Sequence, residues 1–284
     1  MGARTCRGRG RSARAPGHAR RDAAHSPLAP RPTGRQGPDV TTDPQDVTVP
    51  LAGGRALHAQ LLLPAGEPPA GGWPAVVVVH EAFGLTPEIT TVGRSFADRD
   101  WVAIVPDLFS AGVKVGCLVR SMREMLAGAP GAVTDDLLAV QQWVRSRSEV
   151  DADRTAAIGF CMGGAFALLL GSLGPAGLRA VSDNYGRLPA QRVDLTRCPP
   201  VIGSFGAEDT VLPGAGDALA ARLTVADVEH DVRSYDGAGH SFLTGDHKLF
   251  GVVPLGANFA YSASAAGEAW PRILDFLERH TAVR

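Results

Sequence analysis

Apolar and polar positions along this chain change period several times, and the changes divide it into strands and helices. Val47-Thr48-Val49 and residues 56–63 alternate apolar with polar side chains around Ala52-Gly53-Gly54, which predicts an antiparallel hairpin at a sheet edge. Ala75-Val76-Val77-Val78-Val79 is an unbroken run of mostly β-branched residues, as expected of a central parallel strand covered on both faces. Residues 102–105, 156–158, 201–205 and 228–235 read the same way. Helical periodicity falls between them, over 87–99, 132–147, 162–173, 216–223 and 265–280. Strands alternating with helices predict an α/β fold with a doubly wound, mostly parallel sheet and an antiparallel N-terminal hairpin. Functional groups are then expected at the carboxyl ends of the strands.

Two connections, 107–131 and 242–263, exceed what plain scaffolding needs. Long loops at the functional end of such a sheet commonly form lids and specificity walls. Within the first, residues 117–126 predict a short amphipathic helix with Leu118, Met122, Met125 and Leu126 turned inward.

Charge changes the picture at one end only. The 284-residue chain has a formal net charge of −1, yet residues 1–36 hold nine arginines and one acidic residue, Asp22. Their proline- and glycine-rich composition predicts a disordered basic extension over 1–38, with one domain over 39–284. Nucleic-acid binding by that arm is the less favoured reading. Arg20-Arg21 is followed by no apolar segment, so it does not read as a twin-arginine export signal, and no run of 18 apolar residues predicts a membrane span. Cys6, Cys117, Cys161 and Cys198 are scattered without metal-ligand spacing. That pattern predicts no metal and no cofactor, and fits a reducing cytoplasm. Cys117 and Cys198 are expected in the core.

Candidate chemistry centres on Gly159-Phe160-Cys161-Met162-Gly163. This is the G-x-Nuc-x-G form of a nucleophile elbow, with cysteine at the apex. Asp209 follows the strand at 201–205, and His240 lies in Gly237-Ala238-Gly239-His240-Ser241-Phe242. The chain order nucleophile, acid, histidine is that of the α/β-hydrolases. Cys161 is thus the expected nucleophile, with the helix N-terminus and an imidazolium favouring its thiolate. His240 is the expected base, and Asp209 its orienting partner in preference to Glu208 or Asp217. Backbone N–H groups of Ala82 and Met162 are the expected oxyanion donors. Glu81, beside the predicted thiol, is placed to take its proton.

His80-Glu81-x-Phe83-Gly84, Pro106-Asp107-Leu108, the cysteine elbow, Asn184-Tyr185-Gly186, Gly206-x-x-Asp209 and Gly239-His240-Ser241-Phe242 together resemble the dienelactone hydrolase family over roughly residues 45–280. The resemblance implies an α/β-hydrolase fold and a Cys161–His240–Asp209 triad. It also implies activation of Cys161 by Glu81 when substrate binds, and Tyr185 as part of the substrate wall, with Phe83 and Phe242 beside it. The implied activity is hydrolysis of a small lactone or carboxylic ester through a cysteine acyl-enzyme. A thioesterase or peptidase using the same triad, or a non-catalytic ligand-binding scaffold, are the alternatives. The family's two carboxylate-holding arginines are replaced within Phe109-Ser110-Ala111 and Phe242-Leu243-Thr244. Each lost charge-assisted bond is worth about 1.5–3 kcal/mol. Arg123, or Arg120, on the predicted lid helix is the candidate substitute, with a solvated helix face the favoured reading of both.

Overall fold

The computed structural model describes residues 43–245, 248–249, 253–254 and 257–283. The expected basic extension lies outside the described residues. Strands β1 (Gln45–Pro50) and β2 (Ala56–Leu62) form the expected hairpin, closed by a 3-10 turn at Ala52–Gly54 in which Gly53 takes φ 72°. Then come β3 (Trp73–Val79), α1 (Pro87–Ala97), β4 (Val102–Pro106), α2 (Lys114–Ala127), α3 (Ala132–Arg145), β5 (Val150–Phe160) and α4 (Met162–Ser172). The chain continues through β6 (Leu178–Asn184), β7 (Val201–Gly206), α5 (Ala215–Val225) and β8 (His230–Tyr235). A small antiparallel pair, β9 (Lys248–Leu249) with β10 (Val253–Pro254), precedes α6 (Ala263–His280).

The main sheet has eight strands in the order β1-β2-β4-β3-β5-β6-β7-β8. β1, β2 and β4 pair antiparallel in succession, and every later pairing is parallel. From β3 the chain moves outward to β4, then crosses back to β5 on the other side. The loops after β3 and β5 therefore diverge and leave a crevice at their carboxyl ends, the place where sheets of this kind bind ligands. All seven residues of β3 are buried, as its apolar run requires beneath helices on both faces. Helix α4 is buried on every side, which explains why it shows almost no polar face.

One strand lies outside the predicted set, and one expectation holds only in part. β6 carries Ser182-Asp183-Asn184 at its end and does not look like a strand, yet all three residues are buried. The predicted lid helix exists as α2, and Leu118, Met122 and Met125 pack against the core as expected, beside the buried Cys117 and Ser121, but Leu126 is exposed. Polar bonds fix its orientation as well. Glu124 accepts from the Val133 and Thr134 N–H groups at the start of α3, at 2.7 and 2.8 Å. Arg120 pairs with the buried Asp136 at 3.1 Å, which Arg55 of the hairpin also holds in two bonds.

Candidate active site

The elbow follows from steric exclusion. A Cβ added at Gly159 would collide with the Gly163 carbonyl, and one at Gly163 would collide with the Val79 and His80 carbonyls of β3. Only glycine lets strand, turn and the first turn of α4 approach so closely. Cys161 at the apex is held at φ 52° and ψ −113°, a region that costs a residue bearing a Cβ of order 1–3 kcal/mol. The end of β6 secures the turn. Cys161 N–H donates to Asn184 O at 3.0 Å, and Asn184 Nδ2 donates to Gly159 O at 3.0 Å.

Three separate loops converge on the thiol. His240 Nδ1–H donates to Asp209 Oδ2 at 2.7 Å, which leaves Nε2 to accept from the Cys161 thiol at 3.0 Å. Asp209 Oδ1 accepts in turn from Val211 and Leu212 N–H at 2.7 and 3.0 Å. Burial works to raise the pKa of Asp209, but the His240 bond and charge and these two N–H groups outweigh it and hold the carboxylate below its usual range. Glu208 and Asp217 are both exposed and do not meet the imidazole.

The thiol departs from expectation. Its pKa is raised to about 12, first by burial, then by the negative charge of Glu81, with the Met162 N–H opposing. At neutral pH Cys161 is therefore a thiol, and the helix N-terminus does not make it a resting thiolate. Glu81 itself is buried and accepts from Ser241 Oγ at 3.1 Å and Thr244 Oγ1 at 3.3 Å. Thr244 Oγ1 also contacts the Tyr185 hydroxyl at 3.2 Å. Burial, and after it Glu81, push the phenol well above its ordinary range, so it stays neutral.

Of the remaining expected site residues, Met162 and Ala82 lie beside the thiol and in the β3 loop, and Phe83 is partly exposed on that loop. Tyr185 stands against the imidazole with ring centroids 5.3 Å apart. Phe242 is buried, as Tyr185 is, and packs between Tyr185 and Tyr235. Arg123 is exposed on the solvent face of α2 with Gly116 and Val119, and Arg120 is committed to Asp136. Neither arginine is brought to the thiol. Two contributors escaped the sequence reading. Phe259 packs edge-on against His240 at 5.5 Å, and Asn258 Oδ1 accepts from Thr210 N–H at 3.0 Å, next to Asp209. No local motif marks either residue; only the closure of the second long connection brings them in.

A mixed eight-stranded sheet of this order, with a cysteine elbow after β5, an aspartate after β7 and a histidine after β8, is that of an α/β-hydrolase. Solved structures agree on the fold. A dienelactone hydrolase-like promiscuous phosphotriesterase from metagenomic libraries superposes with a TM-score of 0.70 at 24% identity, over 84% of this chain and 99% of that one. An esterase of Pyrobaculum calidifontis gives 0.62 at 17% identity, over 86% and 87%. The family model described as "Dienelactone hydrolase family" matches residues 59–281, and the chain belongs to that family. A carboxymethylenebutenolidase of Rhodococcus opacus is 29% identical over 225 residues, spanning 75% of this chain and 84% of the relative. The protein is a hydrolase of the lactone and carboxylic ester class. No helix among the described residues is long and apolar enough to cross a membrane.

Proposed function

We propose that the protein cleaves a small lactone or carboxylic ester through an acyl-enzyme on Cys161. The relay Cys161–His240–Asp209, at 3.0 and 2.7 Å, is the observation that carries this reading. Substrate binding brings the Glu81 carboxylate to the thiol, which gives up its proton and attacks the carbonyl carbon. The Ala82 and Met162 N–H groups hold the oxyanion of the tetrahedral intermediate. As the C–O bond breaks, the alkoxide leaves with the proton that Glu81 took from the thiol, and the acyl group remains on sulfur. His240, oriented by Asp209, then takes a proton from water, which attacks the thioester and regenerates the thiol. For a lactone, the alcohol and acid remain in one opened product.

A resting thiol with a pKa near 12 suits this sequence of events. It alkylates slowly at neutral pH and becomes a ready nucleophile when a ligand rearranges Glu81. The aromatic wall of Tyr185 and the hydroxyls around Glu81 favour a compact acyl group. The relative named carboxymethylenebutenolidase supports a lactone as the first substrate to test. Intact-mass analysis after brief exposure to a library of short esters and lactones, dienelactone included, is expected to show one acyl adduct on Cys161. A substrate turned over with no adduct there, under conditions that trap the wild-type intermediate, would reject the mechanism.

A further inference from the structure

His80 is fully buried one residue past β3, and the reaction proposed above gives it no part. Its ring is nonetheless bonded at both nitrogens. Leu108 N–H donates to Nε2 at 3.1 Å, so Nε2 carries a lone pair and the ring proton sits on Nδ1. Nδ1–H then donates to the Glu81 carbonyl at 2.6 Å. Burial lowers the pKa of the ring, more than the Glu81 carbonyl bond and the nearby carboxylates of Asp107 and Glu81 raise it. The neutral Nδ1–H form is therefore the resident one.

The Glu81 carbonyl belongs to the same peptide unit as the Ala82 N–H. Across a trans peptide the two point in opposite directions, so anchoring the oxygen sets the direction of the hydrogen. The carbonyl accepts a second bond, from Gly84 N–H at 3.1 Å. A carbonyl that accepts hydrogen bonds also makes its own N–H a stronger donor, because chains of such bonds polarise one another. On its other side His80 holds the start of the 107–131 connection. Asp107 Oδ1 caps Phe109 N–H at 3.0 Å, and the Phe109 ring meets the imidazole edge-on at 4.9 Å. Ser110 Oγ accepts from His58 N–H of β2 at 2.9 Å, so this segment is tied to the sheet as well.

We infer that His80 is a positioning residue. As a neutral imidazole spanning the loops after β3 and β4, it fixes the Glu81–Ala82 peptide plane and thereby aims the Ala82 N–H at the developing oxyanion. The inference rests on the acyl-enzyme reading and adds to it a source for the oxyanion geometry.

Two partial mimics separate the bonds. His80→Asn keeps an amide N–H near the Nδ1 position and loses the acceptor for Leu108. His80→Gln reaches the Nε2 position and loses the donor to Glu81. With a short ester, kcat for the Gln variant is expected to fall roughly 10- to 100-fold, the scale of a misplaced oxyanion donor, and KM to move less than about threefold. His80→Asn should recover most of the loss. Iodoacetamide alkylation of Cys161 needs no oxyanion donor, so its rate should be unchanged in both variants and also reports an intact site. Equal loss in the two variants, or a parallel loss of alkylation, would overturn the assignment and leave acyl-enzyme chemistry standing. Absence of a Cys161 acyl adduct in the wild-type protein would instead remove both.

Discussion

The two ends of α4 each lie against a thiol, half-buried at Cys161 and buried at Cys198, and the two thiols are almost equally weak acids. Cys161 precedes its first turn, while Cys198 lies where a Cβ on Gly171, in its last turn, would meet the sulfur. Burial raises both to about 12, and Asp183 adds to each. Acidity alone cannot say which is chemical. The difference is in the surroundings: Cys161 has an imidazole at 3.0 Å, a helix N–H and a neighbouring carboxylate, whereas Cys198 is packed beside Val181 and Pro199. On the acyl-enzyme reading, Cys161 is made reactive by what can accept its proton at the right moment, not by a low resting pKa.

Substitution is the most forceful way to break the comparison. Cys161→Ala is expected to cut kcat at least ~10⁴-fold, the scale seen when a nucleophile is removed from a relay that acts as a unit. Cys198→Ala should leave turnover within about twofold and lower stability by roughly 1 kcal/mol, read from urea midpoints. Comparable losses of turnover in the two variants would erase the distinction.

Glu81→Gln sharpens it through two opposed effects. Removing the negative charge that raises the Cys161 pKa should move the alkylation profile of that thiol to lower pH and leave the Cys198 profile in place. Ester turnover should nevertheless drop about 10²-fold, because the proton acceptor is gone. A more acidic thiol with faster turnover would refute the role given to Glu81.

The smallest effect concerns Asp183, beneath α4, whose pKa burial raises to about 7 even though Gly186 N–H donates to it. Its folded value lies above its unfolded one. The unfolded chain therefore releases this proton first, and native stability should decline as pH rises from about 4 towards 7. Asp183→Asn should flatten that slope in urea titrations and lower both thiol pKa values slightly. An unchanged slope would count against the assignment.

Most of the scaffold could be read from periodicity, because β3, β4 and α4 bury apolar residues in the patterns their positions demand. The elbow and its partners were legible because close backbone approach leaves glycine as a trace at 159 and 163. β6 was not, since Ser182, Asp183 and Asn184 are residues that favour turns and here serve the site from inside a strand. Leu126 alone was misplaced on α2, because Glu124 and Arg120 also orient that helix, through partners 9 and 16 residues on in α3, and hydrophobic periodicity does not report them. The acidity of Cys161 was misjudged because a helix N-terminus is visible in sequence and desolvation is not. Phe259 reaches His240 only through the path of a long connection, which leaves no local pattern.

The left-handed backbone at Cys161 has a corollary for how such a molecule can drift. Glycine would relax that turn, so Cys161→Gly is expected to raise the melting temperature and, on the acyl-enzyme reading, to abolish turnover. Screening homologues or mutants for melting temperature alone would therefore enrich inert forms, and only a selection on turnover keeps a thiol in so uncomfortable a place.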